Sequence, residues 1–277
     1  MKVLKFTIAL LLLVSVNVFA QSKAIKVEIK GNGSPVILLP GFTCPGEVWN
    51  ETVEHLSAKH ECHIVSYAGF GDLPAIQSDW FKTIQKDLLK YILSNKLKEI
   101  TIIGHSMGGT LGLWVASQID VKHSIIIDAL PCMGAVMIPN YKSENMVYDN
   151  PYNNKILNMD DNAFKAMATQ FTKYICKDTS KHKQINDWIL KADRKTYVYG
   201  YTDLMKVDLR DEISKISSKV IVLAAANPNR AFVEGNYNKQ YANLKNMEIK
   251  YVENSAHFIM FDKFDWYINE IKNVLNK

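Results

Sequence analysis

The chain has 277 residues, of which 48% are hydrophobic and 22% charged, a composition typical of a soluble globular protein with a sizeable core. The formal net charge is +5, but the lysines are scattered among acidic residues and form no basic block. Such a block is typical of nucleic-acid-binding proteins, so we expect no nucleic acid as a partner.

The first twenty residues have the pattern of a secretory signal peptide. Lys2 and Lys5 precede an apolar run that closes on Val18, Phe19 and Ala20. That run is shorter than the roughly 20 apolar residues of a membrane span. We therefore predict cleavage after Ala20 and export of a mature domain, residues 21–277, to the periplasm or the medium, with no stable membrane span. An uncleaved signal anchor is the alternative.

Four cysteines are spread along the exported chain: Cys44, Cys62, Cys132 and Cys176. In an oxidising compartment they permit up to two disulfides in three pairings. Alternatively, all four are small buried residues of a chain long enough to fold without disulfides. Their spacing matches no zinc motif.

After the signal region, runs typical of strands alternate with runs at helical spacing. The first two strand runs, "AIKVEI" and "SPVILLP", flank the turn "KGNG" and predict a hairpin. Later strand runs are separated by helical runs, which indicates crossover connections. These later strand runs are "ECHIVSYAGFG", "EITIIGHS", "KHSIIIDALP", "SKVIVLAAANP" and "MEIKYVENS". The predicted fold class is α/β, with a mostly parallel, doubly wound sheet and a final helix from Phe264 to Leu275.

The alternation is interrupted between the fifth and sixth strand runs. Residues from about 132 to 207 contain helical runs such as "DDNAFKAMATQFTKYI" and "KQINDWILKADRKTYVYGY", and no convincing buried strand. We predict a helical insertion over the carboxyl edge of the sheet. Its Met and aromatic residues either line a ligand cavity or are simply core.

A serine between glycines joins one strand run to the next helical run. Residues 104–108 read Gly-His-Ser-Met-Gly, the G-x-S-x-G pattern of a nucleophile elbow. Gly104 and Gly108 would let strand and helix approach closely, and the turn would raise the Ser106 hydroxyl above the sheet. The helix dipole would favour negative charge beside it. We predict that Ser106 is a nucleophile.

A nucleophilic serine needs a base, and His257 is the candidate. It follows the last strand run and precedes the last helix, the place of the base in a Ser, acid, His chain order. For the other histidines we expect packing or solvent-exposed roles, and for His105 a side chain that leaves the elbow in another direction.

Taken together, "VILLPGFTCPGEVW", "TIIGHSMGGTLGLWVA" and "NSAHFIMFDKFDWYINEI" make residues 25–277 resemble the α/β-hydrolase superfamily of serine hydrolases. The resemblance implies a helical cap in the interrupted region. It also implies an oxyanion hole from the backbone N–H groups of Phe42 and Met107, with Gly41 allowing close approach. Pro40 stands where many members have histidine, which leaves the backbone donor intact.

The acid of the triad departs from the family pattern. Asn227 stands where most members have Asp, and an amide cannot compensate the imidazolium charge. Some relatives take the acid from the end of the preceding strand, which here is Asp128. We therefore predict Asp128 as the acid, although it could instead cap the chain at its exit into the insertion. Glu234 and Asp203 are weaker candidates.

These residues predict an exported serine hydrolase that cleaves a carboxylic ester, thioester or amide of a small molecule, with a preference for an apolar acyl group. No metal or nucleotide motif is present, so we expect no cofactor. An acyltransferase or a cofactor-free haloperoxidase on the same scaffold is the alternative, as is a non-catalytic secreted binding protein.

Overall fold

A computed structural model describes residues 24–76 and 79–276. The predicted signal peptide lies outside the described residues. Within them, one seven-stranded sheet carries the fold, in the order β1-β3-β2-β4-β5-β6-β7. The strands are β1 (Ile25–Lys30), β2 (Ser34–Leu39), β3 (His60–Tyr67), β4 (Thr101–His105), β5 (His123–Ile127), β6 (Lys219–Ala225) and β7 (Met247–Val252).

Every neighbouring pair in this sheet is parallel except β1 with β3. The predicted α/β class with a mostly parallel sheet is therefore confirmed. Residues of one strand alternate between two apolar cores, so that Val220 and Val222 face one core and Ile221 and Leu223 face the other. Burial on both faces explains why these strands read as nearly continuous apolar runs.

The predicted hairpin between the first two strands is wrong. β1 pairs antiparallel with β3, and β3 lies between β1 and β2. The glycine turn crosses the start of β3 at such close range that a Cβ on Gly31 would lie 2.4 Å from the carbonyl oxygen of His60. Gly31 and Gly33 have φ angles of 83° and 118°, which side chains disfavour. Gly31 and Gly33 therefore allow the chain to cross over the start of β3, and they do not form a hairpin turn.

The helices of the described residues pack on both faces of the sheet and above its carboxyl edge. They are α1 (Asn50–Leu56), α2 (Trp80–Ser94), α3 (Met107–Gln118), α4 (Gly134–Met137), α5 (Pro151–Leu157), α6 (Asp161–Ile175), α7 (His182–Lys191), α8 (Arg194–Lys206), α9 (Arg230–Gln240), α10 (Ile259–Asp262) and α11 (Phe264–Leu275). None of them is long and apolar enough to cross a membrane.

The connection from β5 to β6 contains α4 to α8, which we call the cap. Three of these helices, α5, α6 and α8, begin at polar N-capping residues: the side chains of Asn150, Asp160 and Asp193 each accept a hydrogen bond from the backbone N–H three residues ahead. The N-capping residue Asp193 separates α7 from α8. The continuous helical spacing of this segment did not indicate that division. The connection is therefore helical.

All four cysteines are buried and none forms a disulfide. Burial raises the pKa of the Cys44 thiol above its usual range, and desolvation likewise raises the pKa of Cys62 to about 11. These thiols therefore stay protonated near neutral pH. Of the two interpretations of the cysteines, the structure has the one in which they are buried and unpaired.

Candidate active site

Ser106 occupies a sharp turn between β4 and α3. Its φ and ψ angles are 54° and −123°, a conformation that residues other than glycine rarely adopt. Its own N–H donates to Ile127 O at 2.9 Å, and its carbonyl accepts from Gly109 N at 2.8 Å. The strained turn is thus fixed from both sides, and Ser106 borders a large cavity above the sheet.

The two glycines of the motif stand where any side chain would collide with backbone. A Cβ on Gly104 would lie 2.3 Å from Gly108 O, and a Cβ on Gly108 would lie 2.1 Å from Leu39 O. Real Cβ atoms do not approach this closely, because repulsion rises steeply at such separations. Both positions therefore require glycine for β4, α3 and the end of β2 to meet.

His257 lies in the loop after β7, and its Nδ1 is 2.7 Å from Oδ2 of Asp128. Because a carboxylate only accepts hydrogen bonds, Nδ1 carries the proton and Nε2 is left as the basic nitrogen. Asp128 follows β5 directly and has a φ of 44°. His257, Asp128 and Ser106 border the same cavity.

The Asp128 carboxylate has two further donors. Its Oδ1 accepts from Ala225 N at 3.0 Å and from the Tyr237 hydroxyl at 3.1 Å. Burial, followed by the negative charge of Asp128, raises the pKa of Tyr237 well above its usual value, so the phenol stays protonated. One helical turn later, Tyr241 donates its hydroxyl to Ala129 O at 2.8 Å. No local sequence pattern indicated these two tyrosines.

The other acid candidates lie elsewhere. Glu234 pairs with Arg230 on the exposed side of α9 at 3.3 Å. Asp203 accepts from Phe81 N at 3.2 Å and from the Tyr148 hydroxyl at 2.5 Å. Asn227 borders the cavity but, within the described part of the chain, forms no hydrogen bond with His257. Of the three acid candidates, the structure brings only Asp128 to the histidine.

The residues expected to form the oxyanion hole, Phe42 and Met107, border the same cavity as Ser106. Met107 is the first residue of α3, so its N–H has no partner within the helix. Phe42 lies in the loop after β2, and both residues border the cavity. A Cβ on Gly41 would lie 2.7 Å from His105 Nδ1 and 3.3 Å from Ser106 Cβ. The absence of a side chain at Gly41 therefore lets this loop approach the elbow.

His105, the residue before Ser106, is buried and has a contact that the sequence did not indicate. Its Nε2 lies 3.0 Å from the carbonyl oxygen of His257, and the two rings are 4.6 Å apart. Burial, with a smaller effect from His257, lowers the pKa of His105 well below its usual value. A neutral His105 therefore donates from Nε2 and holds the backbone of His257.

Asp262 connects the histidine loop to the cap. Its Oδ2 accepts from Ala256 N at 2.7 Å, while its Oδ1 accepts from Lys177 N at 2.8 Å and Asp178 N at 2.9 Å. One carboxylate therefore joins the backbone just before His257 to the backbone just after the end of α6. The sequence contained no signal for this role, because the two donors from the cap, Lys177 and Asp178, are more than eighty residues away.

The cavity has a volume of about 470 Å³ and lies between the sheet edge and the cap. Among the described residues that line it there is no Lys, Arg or Glu, and Asp128 is the only carboxylate. Most of the cap residues that line it are apolar: Met133, Val136, Met137, Ile156, Met167, Phe171, Ile175, Ile185, Ile189, Val198 and Leu204. The site therefore suits a neutral, apolar group next to Ser106.

No group of three or more His, Cys, Asp or Glu side chains within residues 24–76 and 79–276 is arranged to hold a metal ion.

Comparison with known proteins gives a consistent result. A family model described as "Alpha/beta hydrolase family" matches residues 36–269. The pimeloyl-[acyl-carrier protein] methyl ester esterase of Aliivibrio fischeri (strain MJ11) is 24% identical over 210 residues, which cover 70% of this chain and 75% of that protein. The enzyme of the same name from Aeromonas salmonicida (strain A449) is 25% identical over 205 residues, 70% of this chain and 77% of the relative.

Among solved structures, an esterase from Exiguobacterium antarcticum superimposes with a TM-score of 0.76 and 17% identity, over 91% of this chain and 96% of that one. At this identity the likeness concerns the fold.

Proposed function

The chain belongs to the alpha/beta hydrolase family, and from that premise we propose that it is an exported serine hydrolase that cleaves a carboxylic ester through an acyl-enzyme on Ser106. The observation that carries the proposal is the 2.7 Å hydrogen bond from His257 Nδ1 to Asp128, at the cavity that Ser106 also borders. It supplies an oriented base at the mouth of a nucleophile elbow.

In the proposed first step, Ser106 Oγ attacks the ester carbonyl carbon and His257 Nε2 takes the hydroxyl proton. The imidazolium that forms is compensated by the Asp128 carboxylate at Nδ1. The negative charge on the carbonyl oxygen is held by the N–H groups of Phe42 and Met107 and by the positive end of α3. Collapse of the intermediate expels the alcohol, which takes its proton from His257.

In the second step, His257 takes a proton from water, and the resulting hydroxide attacks the acyl-enzyme carbonyl. The same oxyanion donors act again, and collapse releases a carboxylic acid and restores the Ser106 hydroxyl. The reaction consumes one ester and one water and yields one acid and one alcohol. No step needs a cofactor.

Two observations favour an ester with an apolar acyl group. The cavity wall is largely apolar and has no cationic side chain that would bind a charged acyl group. The relatives in Aliivibrio fischeri and Aeromonas salmonicida are named as methyl ester esterases. An ester also has a better leaving group than an amide. Its cleavage therefore depends less on protonation of the leaving group by His257, which is oriented here by Asp128 at the end of β5.

The test uses purified protein, a fluorophosphonate probe and a series of p-nitrophenyl esters from acetate to dodecanoate. Ser106→Ala should abolish labelling and lower kcat by at least about 10⁴-fold. The matched control is Ser117→Ala, because Ser117 lies on the same helix and donates only to Trp114 O, at 2.7 Å. This control should keep labelling and turnover.

Full esterase activity in Ser106→Ala would refute the proposal. Labelling without hydrolysis of any ester would favour transfer to an acceptor other than water. Absence of labelling in the wild type would favour a binding protein on the hydrolase scaffold.

A further inference from the structure

Two tyrosines of α8 lie beside the oxyanion loop. Tyr197 and Tyr201 are four residues apart, so their side chains leave the helix on the same face. Both border the cavity, and their rings lie 5.8 Å and 5.6 Å from the ring of Phe42. Tyr152, from α5, borders the same cavity. Three phenols from two cap helices are therefore grouped beside the residue expected to donate to the oxyanion.

The hydroxyls of these tyrosines have few hydrogen-bond partners in the described part of the chain. Tyr201 reaches only the Met137 sulfur, at 3.6 Å, which is a weak acceptor. Within the described part of the chain, the hydroxyls of Tyr152 and Tyr197 have no hydrogen-bond partner. Tyr197 and Tyr201 are half-buried, and a polar group there normally finds a partner because an unpaired one costs free energy, whereas Tyr152 is 61% exposed and its hydroxyl is open to water. The phenols can therefore still bind a ligand.

Tyr197 and Tyr201 are neutral, and Tyr152 lies close to both. Burial raises the pKa of Tyr201 to about 12, and the nearby Tyr152 phenol adds to this shift. Burial also raises the pKa of Tyr197, with Tyr152 as the next cause. Neutral phenols donate and accept hydrogen bonds but attract no charge, so they would recognise an uncharged polar atom.

Most other polar side chains of the cavity wall are already occupied. Thr43 donates to Phe42 O at 2.6 Å, Thr110 donates to Leu130 O at 2.9 Å, and Asn153 donates to Tyr148 O at 2.8 Å. Asn227 and Asn236 belong to the segment of β6 and α9 and not to the cap. On the cap side of the cavity, the polar atoms left for a substrate are thus these three phenols and that of Tyr174, which is 71% exposed.

We propose that Tyr152, Tyr197 and Tyr201 form a subsite that recognises a neutral acceptor oxygen, such as an ether or a keto group, in the acyl chain of the ester substrate. The subsite rests on the proposed ester hydrolase activity and narrows its substrate class. A net contribution of about 0.5–1.5 kcal/mol for one hydrogen bond corresponds to a roughly 2- to 12-fold gain in kcat/KM. An apolar cavity without these hydroxyls would instead disfavour the oxygen.

The experiment compares p-nitrophenyl hexanoate with three analogues in which an ether oxygen replaces one methylene: the propoxyacetate, the 3-ethoxypropanoate and the 4-methoxybutanoate. Each kcat/KM is divided by the rate of hydroxide-catalysed hydrolysis of the same ester, which removes differences in intrinsic reactivity. We expect at least one ether ester to exceed the hexanoate by about 2- to 12-fold. The favoured position reports the distance of the phenols from the reacting carbonyl.

The variants Tyr152→Phe, Tyr197→Phe and Tyr201→Phe keep the rings and remove the hydroxyls. At least one of them should abolish the preference for the ether ester over the hexanoate. Tyr199→Phe is the matched control, because Tyr199 lies on the same helix, does not border the cavity and packs against Tyr148 at 5.7 Å. This control should keep the wild-type preference.

Hydrolysis of all four esters without a preference for any ether would overturn the subsite and leave the hydrolase proposal intact. An equal loss of preference in Tyr199→Phe would also overturn it, since the effect would then not depend on the cavity. If no ester is hydrolysed and no probe binds, the hydrolase proposal fails and the subsite with it.

Discussion

Tyr237 donates its hydroxyl to Oδ1 of Asp128 at 3.1 Å, on the carboxylate whose other oxygen lies 2.7 Å from His257. Tyr237 belongs to α9, the helix that follows Asn227. The segment at which most members of the family have the acid therefore supplies a donor to an acid on the neighbouring strand. Since Asp128 has a φ of 44°, it needs partners that hold its position.

Removing the Tyr237 hydroxyl should therefore affect the base and not only the fold. In Tyr237→Phe we expect kcat to fall about tenfold, because the carboxylate loses one of its donors and some of its orientation. With less of its charge engaged by donors, Asp128 should stabilise the imidazolium more strongly. The acid limb of the kcat/KM profile should then move to higher pH, measured with a p-nitrophenyl ester. Two other titratable groups lie near His257 and Asp128: His105, whose ring is 4.6 Å from that of His257, and Tyr241, which is close to Asp128.

Tyr241→Phe is the control for that prediction. Tyr241 stacks on Tyr237 at 5.9 Å, but its hydroxyl binds the backbone oxygen of Ala129. Its loss should lower the melting temperature without moving the acid limb. An unchanged pH profile in Tyr237→Phe, or the same shift in both variants, would show that Tyr237 only packs.

The assignment of Asp128 as the acid predicts a contrast between two variants. Asp128→Asn should lower kcat by roughly a hundredfold to ten-thousandfold, because the imidazole loses its orientation and its compensating charge. Asn227→Ala should have a much smaller effect. Fluorophosphonate labelling and circular dichroism check that Ser106 and the fold remain in both. If Asn227→Ala is the slower variant, the acid assignment is wrong, while the nucleophile stands.

The parts of the fold that followed from the sequence are those specified by local patterns. The continuous apolar runs located β4, β5 and β6, because strands buried on both faces must be apolar throughout. The elbow could be located from its G-x-S-x-G pattern, and the contact that Gly104 permits, with Gly108 O, lies within the motif itself. In each of these cases, one stretch of chain contains the whole signal.

The features that were missed depend on pairings between distant segments. The hairpin prediction failed because the partner of β1 is β3, and nothing in the glycine turn specifies which strand it crosses. Tyr237 meets Asp128 across 109 residues, and Asp262 meets Lys177 across 85. Such contacts exist only once the order of β5, β6 and β7 is known, so a single sequence without that order cannot indicate them.

The apolar run of residues 6–20 predicts the start of the mature protein. If the run is a signal peptide, the exported chain should begin at Gln21, to within a few residues. Intact-mass measurement of protein from the periplasm or the medium determines this start directly. The control is protein produced in the cytoplasm without the export pathway, which should keep Met1. A full-length chain recovered from the membrane fraction would favour the signal anchor.

Because His105 is buried and neutral, we expect the folded protein to lose stability in mild acid. Burial holds the pKa of His105 well below the 6.5 of a solvent-exposed histidine, so the unfolded chain takes up a proton as the pH falls through 6.5 and the folded chain does not. The stability is therefore complete above that pH and decreases below it. For His105 alone we expect the free energy of unfolding to be about 1 kcal/mol lower at about pH 5.5 than at about pH 7.5.

Urea denaturation of His105→Gln, which keeps an N–H donor for the His257 carbonyl, should show a correspondingly smaller difference between the two pH values. The exposed His55 provides the control, and His55→Gln should keep the wild-type difference. The same pH dependence in His105→Gln as in the wild type would mean that His105 is protonated in the folded protein, contrary to its role as a neutral donor.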